Sequence, residues 1–375
     1  MPKSILDSEA RLCALSLRDL SDEAQGPHAI QLLVRSLVDD LCAAWGSTAQ
    51  VRRTNPVVSV ADNYDRRHYP AEAAARAARY TRYLSEDSLL RTQTSAAIPP
   101  LLRALAQDPP SDVLLACPGL VYRRDTIDRC HTGEPHQIDL WRIRRGTALG
   151  TSDLERMIAL AVSATLPGSA WRTSPARHPY TTDGLQIDAR VRGEWLEIGE
   201  CGLALPEILR EAGLGLEYSG LALGLGLDRL LMLRKGIDDI RLLRSTDPRV
   251  TAQLLDLEPY RAVSRMPAVR RDLSIIVDCG ETPEELGDGV RRALGDRLGA
   301  IEAVEVVHET LARDLPEAAA RRLQIDEQQK NVLLRVVLRD LEKSLTHAEA
   351  NEIRDRIYAA LHRGKVWEWA LGEPK

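Results

Sequence analysis

Phenylalanine is missing altogether from this sequence, with a count of 0 in 375 residues, and all aromatic side chains together make up only 4% of it. The deficit runs the whole length of the chain, so it is not the mark of one redesigned pocket. The six cysteines (Cys13, Cys42, Cys117, Cys130, Cys201, Cys279) form no CxxC pair and have no His-rich neighbour at zinc spacing. That argues against a structural metal and predicts reduced thiols of a cytoplasmic protein. No apolar run reaches membrane-spanning length, so no membrane association is expected. The amino terminus carries Asp7, Glu9 and Asp19, unlike an acid-poor transit peptide, and predicts no import signal. The 50 Lys and Arg against 55 Asp and Glu leave a formal net charge of −5, with a pI near 6.0. Such a balance argues against coating nucleic acid through bulk charge. Any RNA contact falls to local clusters: Arg142, Arg144 and Arg145, or Arg261, Arg265, Arg270 and Arg271.

What the chain does have is a charged hairpin. The stretch LVYRRDTIDRCHTGEPHQIDLW, from Leu120 to Trp141, begins as an apolar strand and sets Arg123, Arg124 and Asp125 where a loop should open. It then resumes alternation, with His136, Ile138 and Leu140 on one face and Gln137, Asp139 and Trp141 on the other. Two antiparallel strands around a loop rich in Arg, His and Asp can grip a polyanion such as ATP above a polar pocket. Most charged hairpins are merely solvated turns, so a second segment matters. GLALGLGLDRLLML, starting at Gly220, reads as a glycine-punctuated strand passing into a helix, with Arg229 in its first turn. Glycine there lets backbones approach closely.

Together the two segments resemble motifs 2 and 3 of class II aminoacyl-tRNA synthetases, specifically of phenylalanyl-tRNA synthetase in its single-chain, mitochondrial-type form. That family's VYRRDxxDxxHxxxFHQ(L)E is matched by Val121 to Asp139, and its GxAFGLGLERLAM by Gly220 to Met232. The resemblance continues through LRTQTS at Leu90 to Ser95, GEWLEI at Gly193 to Ile198, GIDDIR at Gly236 to Arg241 and VSRMPAVRRD at Val263 to Asp272. It covers nearly the whole chain in order. Where the family carries phenylalanine, this chain has Tyr64, Pro135, Leu221 or Leu223, and Ile275 or Ile276.

The resemblance implies formation of an aminoacyl-adenylate from ATP and an aromatic amino acid, phenylalanine or an analogue, then transfer to tRNA, with Mg2+ as the metal. Arg123 would bridge the α-phosphate and the substrate carboxylate, a task suited to a planar guanidinium. Arg229 would hold the terminal phosphate, His131 the ATP tail, and Glu197 the magnesium, since hard cations take oxygen ligands. Ser95, Gln137 and Asp139 match positions around the α-amino group, Asp139 being a shortened glutamate. Gln93 replaces a histidine, and Ala222 lies at the amino-acid site. His178 and Tyr180 stand where two phenylalanines flank the substrate ring, and Glu200 stands where small or apolar residues are usual. Two substrate readings stay open: phenylalanine with His and Tyr as substitute fillers, or a polar or modified aromatic amino acid. A ligase for a small-molecule pathway and a non-catalytic tRNA-binding regulator are the alternatives to the synthetase.

The expected fold class is α+β, an antiparallel sheet flanked by helices followed by a ferredoxin-like βαββαβ domain. The organisation read from the sequence is an extension over 1–25, a catalytic domain over 26–255, a linker over 256–267 and an anticodon-binding domain over 268–375. Apolar spacing predicts a helix from Gly26-Pro27 to near Gly46. A helix is also expected over the alanine-rich Ala71 to Leu84, and one opened by a capping box at Ser152 and Glu155. Thr282 and Thr346, with Glu285 and Glu349, should cap the two helices of the carboxy-terminal domain, and Lys365 to Leu371 should supply its last strand. The motif 1 region, around Pro56 and Asn63-Tyr-Asp65, is a dimer element in class II enzymes, whereas single-chain members resemble monomers. The expected state is monomer or homodimer.

Overall fold

The computed structural model describes residues 5–191, 193–263, 266–341 and 343–367. They fall into two compact units. The first comprises Met1–Arg123, Glu134–Ile237 and Thr251–Arg261; the second comprises Arg124–Gly133, Asp238–Val250 and Ala262–Lys375. Among the described residues no helix is long and apolar enough to cross a membrane.

The first unit is built on a seven-stranded sheet. Its strands are β1 (Thr48–Val51), β4 (Asp112–Leu120), β5 (His136–Arg145), β6 (Trp171–Pro175), β7 (Thr181–Val191), β8 (Glu194–Ala204) and β9 (Tyr218–Gly226), in the order β1-β4-β5-β9-β8-β7-β6. Only β1 and β4 run parallel; every other pair is antiparallel. The short strands β2 (Val57–Ser59) and β3 (Ser88–Leu90) pair apart from it. The helices of this unit are α1 (Ser8–Ser16), α2 (Ala29–Trp45), α3 (Val60–Asn63), α4 (Ile98–Leu105), α5 (Thr151–Thr165), α6 (Pro206–Glu211) and α7 (Leu227–Lys235).

The hairpin predicted from Leu120 to Trp141 is β4 and β5, and the glycine-punctuated strand is β9. Helix α2 buries Leu33, Val34, Leu37, Val38 and Leu41, as the spacing predicts, and stops at Gly46, whose φ of 64° is the left-handed conformation glycine tolerates. Arg142, on the β5 face opposite Asp139, stacks over the ring of Trp45 at 4.3 Å and pairs with Asp112 at 2.6 Å. This buried arginine therefore works in the fold, contrary to its reading as an RNA contact. The other face carries the cluster of Ile98 and Leu102 of α4, Trp141, Ala222, and Ile208 and Leu209 of α6.

Two helix expectations differ from the structure. Ala71 to Leu84 forms only a one-turn 3₁₀ segment, Ala74–Arg76. The hydroxyls of Tyr64 and Thr81 donate to the Ala75 carbonyl at 2.7 and 2.8 Å, and that of Tyr83 to the Arg76 carbonyl at 2.7 Å. These tertiary bonds take the acceptors a helix would use, and outweigh the propensity of alanine. Helix α5 begins two residues earlier than predicted: Asp153, not Glu155, closes its cap, accepting from the Gly150 N–H at 2.9 Å. The segment before Gly26 contains α1 and buries Leu20 and Ser21 within the first unit.

In the second unit, β10 (Val269–Asp278), β11 (Ile301–Leu311) and β12 (Gln329–Leu338) form an antiparallel sheet in the order β10-β12-β11. Its helices are α8 (Pro248–Thr251, whose last residue belongs to the first unit), α9 (Pro283–Leu294), α10 (Glu317–Leu323) and α11 (His347–Leu361). Thr282 with Glu285 and Thr346 with Glu349 form the predicted capping boxes; α10 was not anticipated. Residues 365–367 are not a strand, and the rest of the strand expected over Lys365 to Leu371 lies outside the described residues. Residues 124–133 contribute Ile127 to this core, with the Val304 N–H bonded to the Ile127 carbonyl at 2.8 Å.

Close approach of β8 to β9 depends on Gly199, where a β-carbon would stand 2.2 Å from the Gly224 carbonyl oxygen. Gly199→Ala is expected to cost about 1–3 kcal/mol or more of stability, read as a lowered midpoint in urea denaturation followed by circular dichroism.

Candidate active site

The site lies on the sheet face shared by β5, β9 and β8, and register assembles it. Asp139 pairs with Gly224, which pairs with Glu200; Trp141 pairs with Ala222, which pairs with Gly202; Gln137 pairs with Gly226. The middle strand of this face is thus almost without side chains, and its glycines make a floor between the walls of β5 and β8. Gly202 is equally constrained, since a β-carbon there would meet the Thr181 β-carbon at 2.7 Å.

Glu197 and Glu200 are an odd number of residues apart and would face opposite sides of a regular strand. They do not, because the register slips between Ile187–Gly199 and Asp188–Glu197, leaving Ile198 as a β-bulge. Both carboxylates therefore reach the site face. Burial and the neighbouring charge of Glu200 raise the pKa of Glu197, with Arg229 and Arg123 opposing the shift. Glu200 moves the other way: its pairing with His178, Nε2 to Oε2 at 3.0 Å, and the charge of Arg123 hold it below the usual carboxylate range. Arg229 donates from Nη1 to the Glu197 carbonyl at 2.9 Å, and Arg123 from Nε to the Thr92 carbonyl at 2.9 Å. Arg123, Arg229, Glu197 and Glu200 thus form one electrostatic cluster.

Arg229 follows Asp228, which the sequence leaves without a role. The buried His136 Nδ1 lies 3.0 Å from Asp228 Oδ1, and its Nε2 accepts the Leu20 N–H at 2.9 Å. The second contact fixes the proton on Nδ1 and makes Asp228 the acceptor. The first turn of α7, and with it Arg229, is pinned to β5.

Beside the charged cluster lies a group of packed aromatic rings. Tyr180 stacks on Trp141 with ring centroids 6.2 Å apart and is flanked by Tyr69 at 6.3 Å and His178 at 5.7 Å. Burial pushes the Tyr180 hydroxyl well above its ordinary pKa. Asp139 is buried and accepts from the Thr94 hydroxyl at 3.1 Å and from Trp141 Nε1 at 3.2 Å. Burial raises its pKa, against the attraction of Arg67. Ser95 donates to Gln93 Oε1 at 3.0 Å, and Gln93 Nε2 donates to the Tyr69 hydroxyl at 3.2 Å.

The residues proposed for the amino-acid site, Gln93, Ser95, Gln137, Asp139, His178, Tyr180, Glu200 and Ala222, all belong to the first unit, as do Arg123, Glu197 and Arg229. His131 belongs to the second unit, where its Nδ1 lies 2.7 Å from Asp128 Oδ2. Sequence reasoning missed Arg67, Tyr69 and Thr94. Arg67 sits in the run Arg66-Arg67-His68, which reads as a solvated charge run; its nearness to Asn63-Tyr-Asp65 was the one available signal.

Residues 22–254 match the family described as tRNA synthetases class II core domain (F). A phenylalanine–tRNA ligase alpha subunit of Prochlorococcus marinus (strain MIT 9313) is 37% identical over 192 residues, covering 51% of this chain and 56% of that protein. One from Synechocystis sp. (strain ATCC 27184 / PCC 6803 / Kazusa) is 32% identical over 252 residues, covering 65% and 73%. The chain thus spans a little over half the length of the first of these relatives. A pyrrolysyl tRNA synthetase of Desulfitobacterium hafniense, of known structure, superposes with a TM-score of 0.44 at 20% identity over 58% of this chain and 73% of that one.

The raised pKa of Glu197 means that its ionised form is disfavoured in the folded protein. Stability is then largest with the group protonated, below the unfolded carboxylate value of about 4.3, and falls as pH rises through the folded value. Glu197→Gln should therefore melt at a higher temperature than the parent at pH 7, and the gain should vanish as the pH is lowered to about 4. Thermal melts of both proteins across that range check this.

Proposed function

Since this chain belongs to the class II tRNA synthetase core family, we propose that it activates an aromatic amino acid with ATP and passes the acyl group to the terminal adenosine of a tRNA, at the 2′-hydroxyl. The observation that carries this reading is the cluster of Arg123, Arg229, Glu197 and Glu200 on one sheet face beside the packed rings of Tyr69, Trp141, His178 and Tyr180.

Activation is an in-line attack of a carboxylate on the α-phosphate of ATP. It brings two anions together, so catalysis rests on positioning and on charges already in place. Arg123 would bridge the α-phosphate and the attacking carboxylate, and its Nε bond to the Thr92 carbonyl fixes the guanidinium plane. Arg229, held by the Glu197 carbonyl, would take the terminal phosphate. His131 is read as a contact to the ATP tail. A carboxylate with a raised pKa beside a second negative charge suits a divalent cation, and Glu197 would hold Mg2+. Bound there, Mg2+ would supply charge neutralisation on the phosphates. Asp139 and Gln137 would face the amino group.

The family match ends at residue 254, and we read 268–375 as a ferredoxin-like anticodon-binding domain and 256–267 as its linker. Its described strand and helix order, βαβ with an inserted α10 and then βα, supports this. We read the chain as a single-chain enzyme, monomeric or homodimeric, although the relatives are named alpha subunits. A second substrate reading, a polar or modified aromatic amino acid, rests on the His178–Glu200 pair, polar groups beside the aromatic rings that a plain benzyl ring has no means to engage.

The direct test is ATP–pyrophosphate exchange with a panel of amino acids, with and without tRNA. Arg123→Ala and Arg229→Ala should each lower exchange about 10²–10³-fold with an unchanged circular dichroism spectrum; unaltered turnover in either would overturn the assignment.

A further inference from the structure

Arg67 is buried at 0% exposure. Its Nη1 donates to Gln93 Oε1 at 2.8 Å and to the Ser95 hydroxyl at 2.6 Å, and its Nη2 donates to the Asn63 carbonyl. Every one of these acceptors is neutral. Its Nε is buried and unpartnered, and among the described residues no carboxylate stands within ion-pairing distance of the guanidinium. Asp139, close enough for Arg67 to affect its titration, is engaged instead with Thr94 and Trp141. The faces of Tyr69 and Tyr180, 5.1 and 5.4 Å from the guanidinium carbon, offer cation–π attraction that is weak beside the desolvation of a full charge.

A buried cation held only by neutral oxygens and rings is a group prepared for an anion. It is also rigidly placed. His68, the next residue, takes a left-handed φ of 58°, unusual outside glycine and frequent at functional sites, and its Nε2 is held by both Glu211 oxygens at 3.0 Å. Arg67 bonds directly to Gln93 and Ser95, residues assigned above to the amino-acid site.

We propose that Arg67 receives a carboxylate of the amino-acid substrate and thereby sets which substrates the pocket accepts; this rests on the amino-acid-activation reading above. The carboxylate has two sources. It is the α-carboxylate common to all amino acids, or a second one carried by the substrate's side chain. An α-ammonium group cannot occupy the same spot, since Gln93 and Ser95 already face a guanidinium. The reactive end of the substrate is thereby turned away from Arg67 unless the α-carboxylate itself is bound there.

The test uses the full chain and its variants Arg67→Met, which keeps length without charge, and Arg67→Lys, which keeps charge. Binding of phenylalanine, phenylalaninol and 4-carboxyphenylalanine is measured by calorimetry, alongside ATP–pyrophosphate exchange for the two acids. The expected result is at least ~10-fold weaker binding of a carboxylate ligand to Arg67→Met, partly restored in Arg67→Lys, with phenylalaninol unmoved. Loss confined to the advantage of 4-carboxyphenylalanine over phenylalanine identifies the side-chain source; equal loss for both acids identifies the α-carboxylate. Affinities unchanged in Arg67→Met overturn the proposal. Should that variant not fold, the parent chain decides: equal affinity for all three ligands overturns it. Carboxylate-dependent binding without exchange would sink the activation reading and leave Arg67 its role, whereas exchange with Arg67-independent binding would sink only the latter.

Discussion

The antiparallel pairing of β5, β9 and β8 is the constraint on which the rest of the candidate site depends. It sets Asp139, Gly224 and Glu200 in one row and Trp141, Ala222 and Gly202 in the next. Because side chains alternate across a sheet, a one-residue slip in any of these pairings would carry an entire wall of the site to the far face. The helices behind the sheet, and the stack of Arg142 on Trp45, matter to function because they hold this register.

The electrostatics follow from that arrangement. A sheet face with a glycine floor leaves room for ligand, and the charges stand on its margins: Arg123 at the end of the hairpin, Arg229 in the first turn after β9, Glu197 and Glu200 on β8. Neither arginine is left loose, since each donates to a backbone carbonyl and Asp228 ties the first turn of α7 to His136. Charges held in this way need little reorganisation when an anion arrives, the condition under which electrostatic stabilisation is largest.

Much of this was legible in the chain itself. Period-two alternation marked the face of β5 that carries Gln137, Asp139 and Trp141; the glycines marked β9; Thr282, Glu285, Thr346 and Glu349 marked two helix starts. What was illegible depends on partners distant in sequence. Ala71 to Leu84 has helical propensity, yet bonds from Tyr64, Thr81 and Tyr83 take its carbonyls. Arg67 looks like part of a solvated charge run, and only Gln93, Ser95 and two tyrosine rings make it a buried cation. The capping of α5 by Asp153 in place of Glu155 is a two-residue shift that depends on the extended backbone of Gly150.

The bulge at Ile198 has a bearing on how such a site arises and is lost. Two acidic residues share a face only because one extra residue is accommodated between their ladder positions. Inserting one residue into β7 opposite Ile198 would regularise the ladder, leave both glutamates in the chain, and turn one of them to the other side of the sheet. In the history of a lineage, the step that creates or erases this pair is therefore a change in length by a single codon, and comparisons that score residue identity column by column would count both carboxylates as retained after the pair had gone.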